Sequence, residues 1–239
     1  IGQGAKGSIE SSIESIGSNL LIVSPGTQRG VGMQVSSGQG SAQTLTQADA
    51  DAIAQEISLV NQIAPELSRR YQVIVKGANT NTSIIGTTPA YTSVRKVEVE
   101  QGVFIDDQNL ESAQKVAVIG PTVRDDLFGE GGEALGQIIR INGIQFKVVG
   151  ITQSKGGTGF NNADNAIYVP LTTAQRFLAG DDYVTSISIE ATDQQSMEMV
   201  KSQTTELLLA RHNISDSASA DFTITSQSDI VATASTVTN

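Results

Sequence analysis

The chain has 239 residues, long enough for one large domain or two small ones around a sizeable core. Its formal charge of −10, from 15 Lys and Arg against 25 Asp and Glu, argues against nucleic acid or anionic lipid head groups as partners, because no net positive field draws phosphate. The absence of cysteine excludes disulfides, cysteine-ligated zinc and a thiol nucleophile, one histidine excludes multi-histidine metal sites, and 4% aromatic content suits short strands better than an aromatic-lined cavity.

Ile1, Ala5, Ile9, Ile13 and Ile16 recur at helical spacing and predict an amphipathic helix over 1–16, which Gly17 ends in a left-handed position. Leu20 to Val23 follows as a short buried strand, stopped by Pro25-Gly26, and 26–43, rich in Gly, Ser and Gln, reads as a mobile loop. Thr46 caps a second helix, with Asp49 and Asp51 in its first turn and Ala50, Ile53, Ala54 and Ile57 facing inward. Arg70 to Lys76 and Ser83 to Thr87 flank the turn-rich GANTN and predict a strand pair.

From 97 to 183 the texture changes to short strands and glycine turns. In QIIRINGIQFKVV, Asn142-Gly143 is a two-residue hairpin turn that sets Ile141 against Ile144 and Ile139 against Phe146 on one face, with Arg140 and Gln145 on the other. Lys115 to Gly120 and Ala166 to Val169 are further strands, each followed by proline, and Pro170 starts a short helix through Phe177. Towards the end, Val184 to Glu190 is a strand, Thr192 to Gln195 a capping box, and the next helix turns Met197, Val200, Leu207 and Leu208 inward before a strand from Asp221 to Thr225. Ser228 caps a final helix. The expected fold class is α+β: a split ferredoxin-like βαβ lobe from 1–96 and 184–239, with helical ends 1–16 and 228–239, and an inserted β-rich lobe over 97–183. No apolar run reaches the roughly 20 residues that span a bilayer, so the chain is expected to be a soluble piece of a longer protein.

Catalytic chemistry is thinly represented. His212 follows the long helix, where a cation is favourable, and has no nucleophile in a recognisable pattern. The pairs Asp106-Asp107, Asp125-Asp126 and Asp181-Asp182 could serve a hydrolase only if two carboxylates faced each other across a cleft, whereas adjacent aspartates in turns and caps point apart. The loop Lys155 to Asn165 is glycine-rich, but lacks the Gly-Lys-Ser/Thr ending of a phosphate cradle and the spacing of a calcium loop. A surface loop displaying Phe160 fits it better.

The segments IGQGAKGSIESSIESIGSNLLIVSPG, VAVIGPTVRDDLFG, GQIIRINGIQFKVVGI, SKGGTGF, YVPLTTAQRF and TSQSDIVAT occur in the order typical of one family. Together they resemble the extracytoplasmic, periplasmic core domain of MacB-type ABC transporter permeases, over nearly the whole chain. The resemblance implies a Porter lobe from the two chain halves and a Sabre lobe from the insertion. It also implies a non-enzymatic domain that couples cytoplasmic ATP hydrolysis through transmembrane stalks to export of macrolides, peptides or toxins. ATP and magnesium would belong to a cytoplasmic domain outside this chain, and no cofactor to this one. Implied partners are a second permease protomer and, in many members, a periplasmic adaptor and an outer-membrane exit duct, at the extracytoplasmic face of the bacterial cytoplasmic membrane. A lipoprotein-release or cell-division-type permease of the same superfamily is the alternative. The residues singled out are the loop Lys155, Gly156, Gly157, Thr158, Gly159 and Phe160 as a partner contact, and Gly17-Ser18 as a joint between stalk and lobe.

Overall fold

A computed structural model describes residues 19–26, 43–156 and 163–226. In chain order its elements are β1 (Leu20–Pro25), α1 (Gln47–Glu56), β2 (Val60–Val75), β3 (Ala78–Thr87), α2 (Tyr91–Val94), β4 (Val99–Gly102), α3 (Asp107–Glu111) and β5 (Val116–Ile119). There follow α4 (Pro121–Phe128), β6 (Ile138–Ile141), β7 (Ile144–Thr152), β8 (Ala166–Pro170), α5 (Leu171–Thr173), β9 (Ser186–Ala191), α6 (Met197–Arg211) and β10 (Phe222–Ser226). The helices and loop expected at 1–16, 26–43 and from Ser228 onward fall largely or wholly outside the described residues.

Two compact units divide this mixed α/β fold: residues 1–65, 93–96 and 183–239 in one, 66–92 and 97–182 in the other. The first holds strands in the order β10-β1-β9-β2, with β1 antiparallel to both β9 and β10. Thr46 caps α1 through a capping box with Asp49, as its position suggests. The inner stripe of α1 is Ala50, Ala52, Ile53 and Ile57; Ala54 is exposed, contrary to expectation. α6 begins at Met197, beyond the expected capping box, because the Asp193 carboxylate accepts from the Ser196 N–H at 2.8 Å and makes a separate turn. Thr204 takes the inward place expected of Leu207, which is only half-buried.

The second unit contains 66–92, which the sequence assigned to the first lobe. Hydrogen bonding is the reason. β2 starts ten residues before the expected Arg70 and runs for 16 residues, and its later part pairs with β3 and with β6. β3 pairs with β8, β8 with β5, β5 with β7, and β7 with β6, so six strands close a ring, β2-β3-β8-β5-β7-β6. Its interior is dry, with Val73, Ile84, Ile119, Ile139, Ile141, Phe146, Val148 and Ile167 at most 2% exposed.

The β6–β7 hairpin has the expected register, Ile139 opposite Phe146 and Ile141 opposite Ile144. Asn142 and Gly143 both take positive φ, 48° and 82°, the signature of the turn that matches strand twist. On the outside of β8, Tyr168 packs against Tyr91 and Phe104 with ring centroids 5.3 and 5.7 Å away. The helix after Pro170 lasts one α turn and continues as a π turn over Ala174–Ala179, ended by Gly180 at φ 80°, two residues past the expected Phe177.

Ring closure gives a paired prediction on one short strand. Ile141→Ala, which empties a fully buried inward site, should cost about 2–5 kcal/mol in urea unfolding, whereas Ile138→Ala, at an outward site 52% exposed, should stay within about 0.5 kcal/mol. Equal effects would contradict the inward–outward assignment.

Candidate functional site

The glycine loop after β7 is rooted in the second unit by one carboxylate. Asp164 sits in a 3₁₀ turn over Ala163–Asn165 and is only 7% exposed. It accepts from Ser154 Oγ at 2.6 Å, from the Lys155 N–H at 2.8 Å and from the Gly156 N–H at 3.1 Å. The backbone donors at the start of the loop are therefore turned on the protein's own carboxylate, not outward to a phosphate. Gly120 lets the turn sit close, since a Cβ there would lie 2.3 Å from the Asp164 carbonyl oxygen. Gly157, Thr158, Gly159 and Phe160 lie outside the described residues, so the structure places only the root of the predicted partner loop.

Gly17 and Ser18 also lie outside the described residues. The first described residue, Asn19, donates its side-chain N–H to the Ala191 carbonyl. The strand that follows is aligned so that Leu21 faces Ser226 and Pro25 faces Phe222. The chain thus comes into β1 and leaves β10 side by side, at one end of the same strand pair.

At the opposite end of that pair lies a charged cluster that sequence reasoning missed. Asp49, 3% exposed, accepts from Arg211 Nε at 2.7 Å, and its other oxygen lies 3.4 Å from His212 Nε2. His212 Nδ1 lies 2.7 Å from the Asp221 carboxylate, and its ring meets Phe222 edge-on at 5.9 Å. His212 is the C-cap of α6, as expected, but its ring works between two carboxylates. Burial pushes the Asp49 carboxyl up, yet hydrogen bonds from Arg211 and Thr46 and the charge of His212 outweigh it and hold it below the usual carboxylate range. The Asp221 carbonyl accepts from the Gly26 N–H at 2.7 Å and from Thr44 Oγ1 at 2.9 Å, so Gly26 and Thr44 are fastened to the same residue. In sequence, Asp49 reads only as a helix-dipole carboxylate, and nothing local pairs it with a helix end more than 160 residues away.

The paired aspartates do not face one another across a cleft. Asp106 caps α3, Asp125 is bonded to Arg124 at 2.8 Å, which holds its carboxyl low, Asp126 accepts from Thr80, and Asp181 pairs with Arg69 at 2.9 Å. These four carboxylates have local structural work.

The MacB-like periplasmic core domain family matches residues 1–207. The chain is 35% identical over 231 residues to the macrolide export ATP-binding/permease protein MacB of Bdellovibrio bacteriovorus, covering 96% of this chain and 35% of that protein. With the protein of the same name from Chlorobium luteolum it shares 33% identity over 214 residues, 90% of this chain and 32% of the relative. The chain therefore spans about a third of the length of these relatives. The periplasmic region of MacB from Actinobacillus actinomycetemcomitans has the same fold, with a TM-score of 0.77 at 21% identity over 95% of this chain and 97% of that one. The extracellular domain of the noncanonic ABC-type transporter YknZ from Gram-positive bacteria aligns with a TM-score of 0.70 at 16% identity, covering 87% of this chain and 100% of that one. Among the described residues no helix is long and apolar enough to cross a membrane.

Two outcomes follow from these clusters. Asp164→Ala leaves three donors without their acceptor and should cost about 1–3 kcal/mol, while tryptic cleavage at Lys155 of the folded protein accelerates severalfold; unchanged cleavage would remove Asp164 as the loop's anchor. Asp49→Asn should cost about 1–3 kcal/mol at pH 7. Because the folded carboxyl titrates below the unfolded value near 3.9, its contribution is complete above about pH 4 and is lost as pH falls through the folded value. The stability gap between wild type and Asp49→Asn, measured by denaturant titration, should therefore narrow only below about pH 4.

Proposed function

Because the chain belongs to the MacB-like periplasmic core domain family, the extracytoplasmic part of an ABC permease, we propose that it couples ATP hydrolysis elsewhere in a longer protein to the export of substrates already outside the membrane. The observation that carries this reading is the pairing of Leu21 with Ser226, which brings the incoming and outgoing chain together at one end of two adjacent strands. Two transmembrane stalks flanking the domain would then act on neighbouring strands of one sheet. In this reading the first unit is the Porter lobe: its strand order β10-β1-β9-β2, with α1 and α6 as the crossovers, is that of a split βαβ pair. The second unit, closed as a ring, is the Sabre lobe.

The domain itself is non-enzymatic and carries no cofactor in this proposal; ATP and magnesium act in a cytoplasmic domain. Partners are a second permease protomer and, where the cell has an outer membrane, an adaptor and an exit duct. Macrolides, named for the curated relatives, are the first substrates to test, with peptides and toxins after them. The loop from Lys155 to Phe160 is the contact for a partner, and Gly17-Ser18 is the joint through which stalk motion reaches β1.

Replacing Gly17-Ser18 in the full-length transporter with a flexible Gly/Ser insert of about 12 residues should leave ATP hydrolysis intact while macrolide export from cells falls to background. Export at the wild-type rate would defeat the coupling reading.

A further inference from the structure

The ring of the second unit has two unlike outer sides. On β8 the outside is covered by the Tyr91, Phe104 and Tyr168 rings. Along β2 and β6, and along the ends of β3 and β7 beside them, the outward residues are exposed. Register places these residues without ambiguity: Ile74 lies opposite Arg140, and Ile138 opposite Lys147. Arg70 shares the outward side of β2 with Ile74 by the two-residue period, and Lys76 stands at the turn beyond it. Arg70, Lys76, Arg140 and Lys147 are all exposed, and Ile74 and Ile138 are 45% and 52% exposed.

The charge on this face is one-sided. The only acidic residue of the ring portions of these four strands is Glu66, which is buried. Every other described lysine and arginine is engaged by a carboxylate, an aromatic ring or another group. Among the described residues nothing engages Arg70, Lys76, Arg140 or Lys147. A protein of formal charge −10 thus gathers its unpaired described cations on one open strand face, around two exposed isoleucines.

We propose that the outward face of β3-β2-β6-β7 is a docking surface for an acidic patch on a partner protein. Exposed apolar side chains beside arginines, with lysines and amides around them, fit a small apolar patch inside a polar, charged rim. A membrane interface would call for an aromatic belt beside the basic residues, and the outward positions of these strands carry no aromatic side chain. Four strands about 4.8 Å apart and about five residues long give an area of only a few hundred Å², the scale of a weak, reversible and salt-sensitive contact. The proposal does not depend on the export reading.

The test uses the whole chain and a short synthetic peptide of alternating Glu and Val, followed by amide chemical-shift mapping at low salt. Expected are shifts confined to β2, β3, β6 and β7, loss of binding when Gln replaces Glu in the peptide, and affinity lowered at least about tenfold in the triple variant Arg70→Glu, Arg140→Glu, Lys147→Glu. The neutral triple variant with Gln at the same three positions should show a smaller loss, and unchanged thermal unfolding of both would show that the fold is kept. The double variant Ile74→Ser, Ile138→Ser should weaken binding as well. Failure of the peptide to bind, shifts elsewhere, or undiminished binding by both triple variants would overturn the proposal. So would charge-dependent pelleting with phosphatidylglycerol vesicles in place of peptide binding, which would assign the face to lipid, or a dimer in light scattering that the triple variants abolish, which would assign it to a second copy.

Discussion

The pairing of β6 with both β2 and β7 is the contact on which the second unit depends. A strand of four residues supplies the last hydrogen bonds of the ring, with Val73 facing Ile141 and Ile74 facing Arg140. Closure leaves the six strands no open edge among themselves and forces alternate side chains into a dry interior. It also decides which residues belong to the unit. β3 can meet β8, and β2 can meet β6, only if 66–92 leave the segment that precedes them and join the insertion.

Local chemistry was legible. Asn142-Gly143 specified a turn with two positive φ values, and the alternation around it specified which isoleucines point inward. Thr46 with Asp49 specified a helix start. What stayed hidden is non-local. No feature of residues 73–74 announces residues 140–141 as their partners, and the early half of β2, broken by Asn61, Gln62 and Pro65, does not alternate as a strand should.

The same division holds for the candidate sites. Glycines and Phe160 marked the loop after β7, but the residue that roots it, Asp164, read as one more polar residue in an oxygen-rich stretch. His212 was placed at a helix end, yet its role between Asp49 and Asp221 needs the meeting of one helix start, another helix end and a strand start. Ion-pair clusters of this kind have no local sequence signature, because their members are chosen by geometry and each is unremarkable alone.

The antiparallel alignment of β1 with β10 has a mechanical meaning. The chain enters β1 and leaves β10 at the same end of a two-strand ribbon, at the Leu21–Ser226 rung. A force that spreads the ends apart loads the rungs one after another, as in a zipper. A force that moves both ends together loads none of them and carries the ribbon along as a body. Such a ribbon yields to splaying and resists nothing in concerted displacement, so any lever attached to it transmits only the motion that its two arms share.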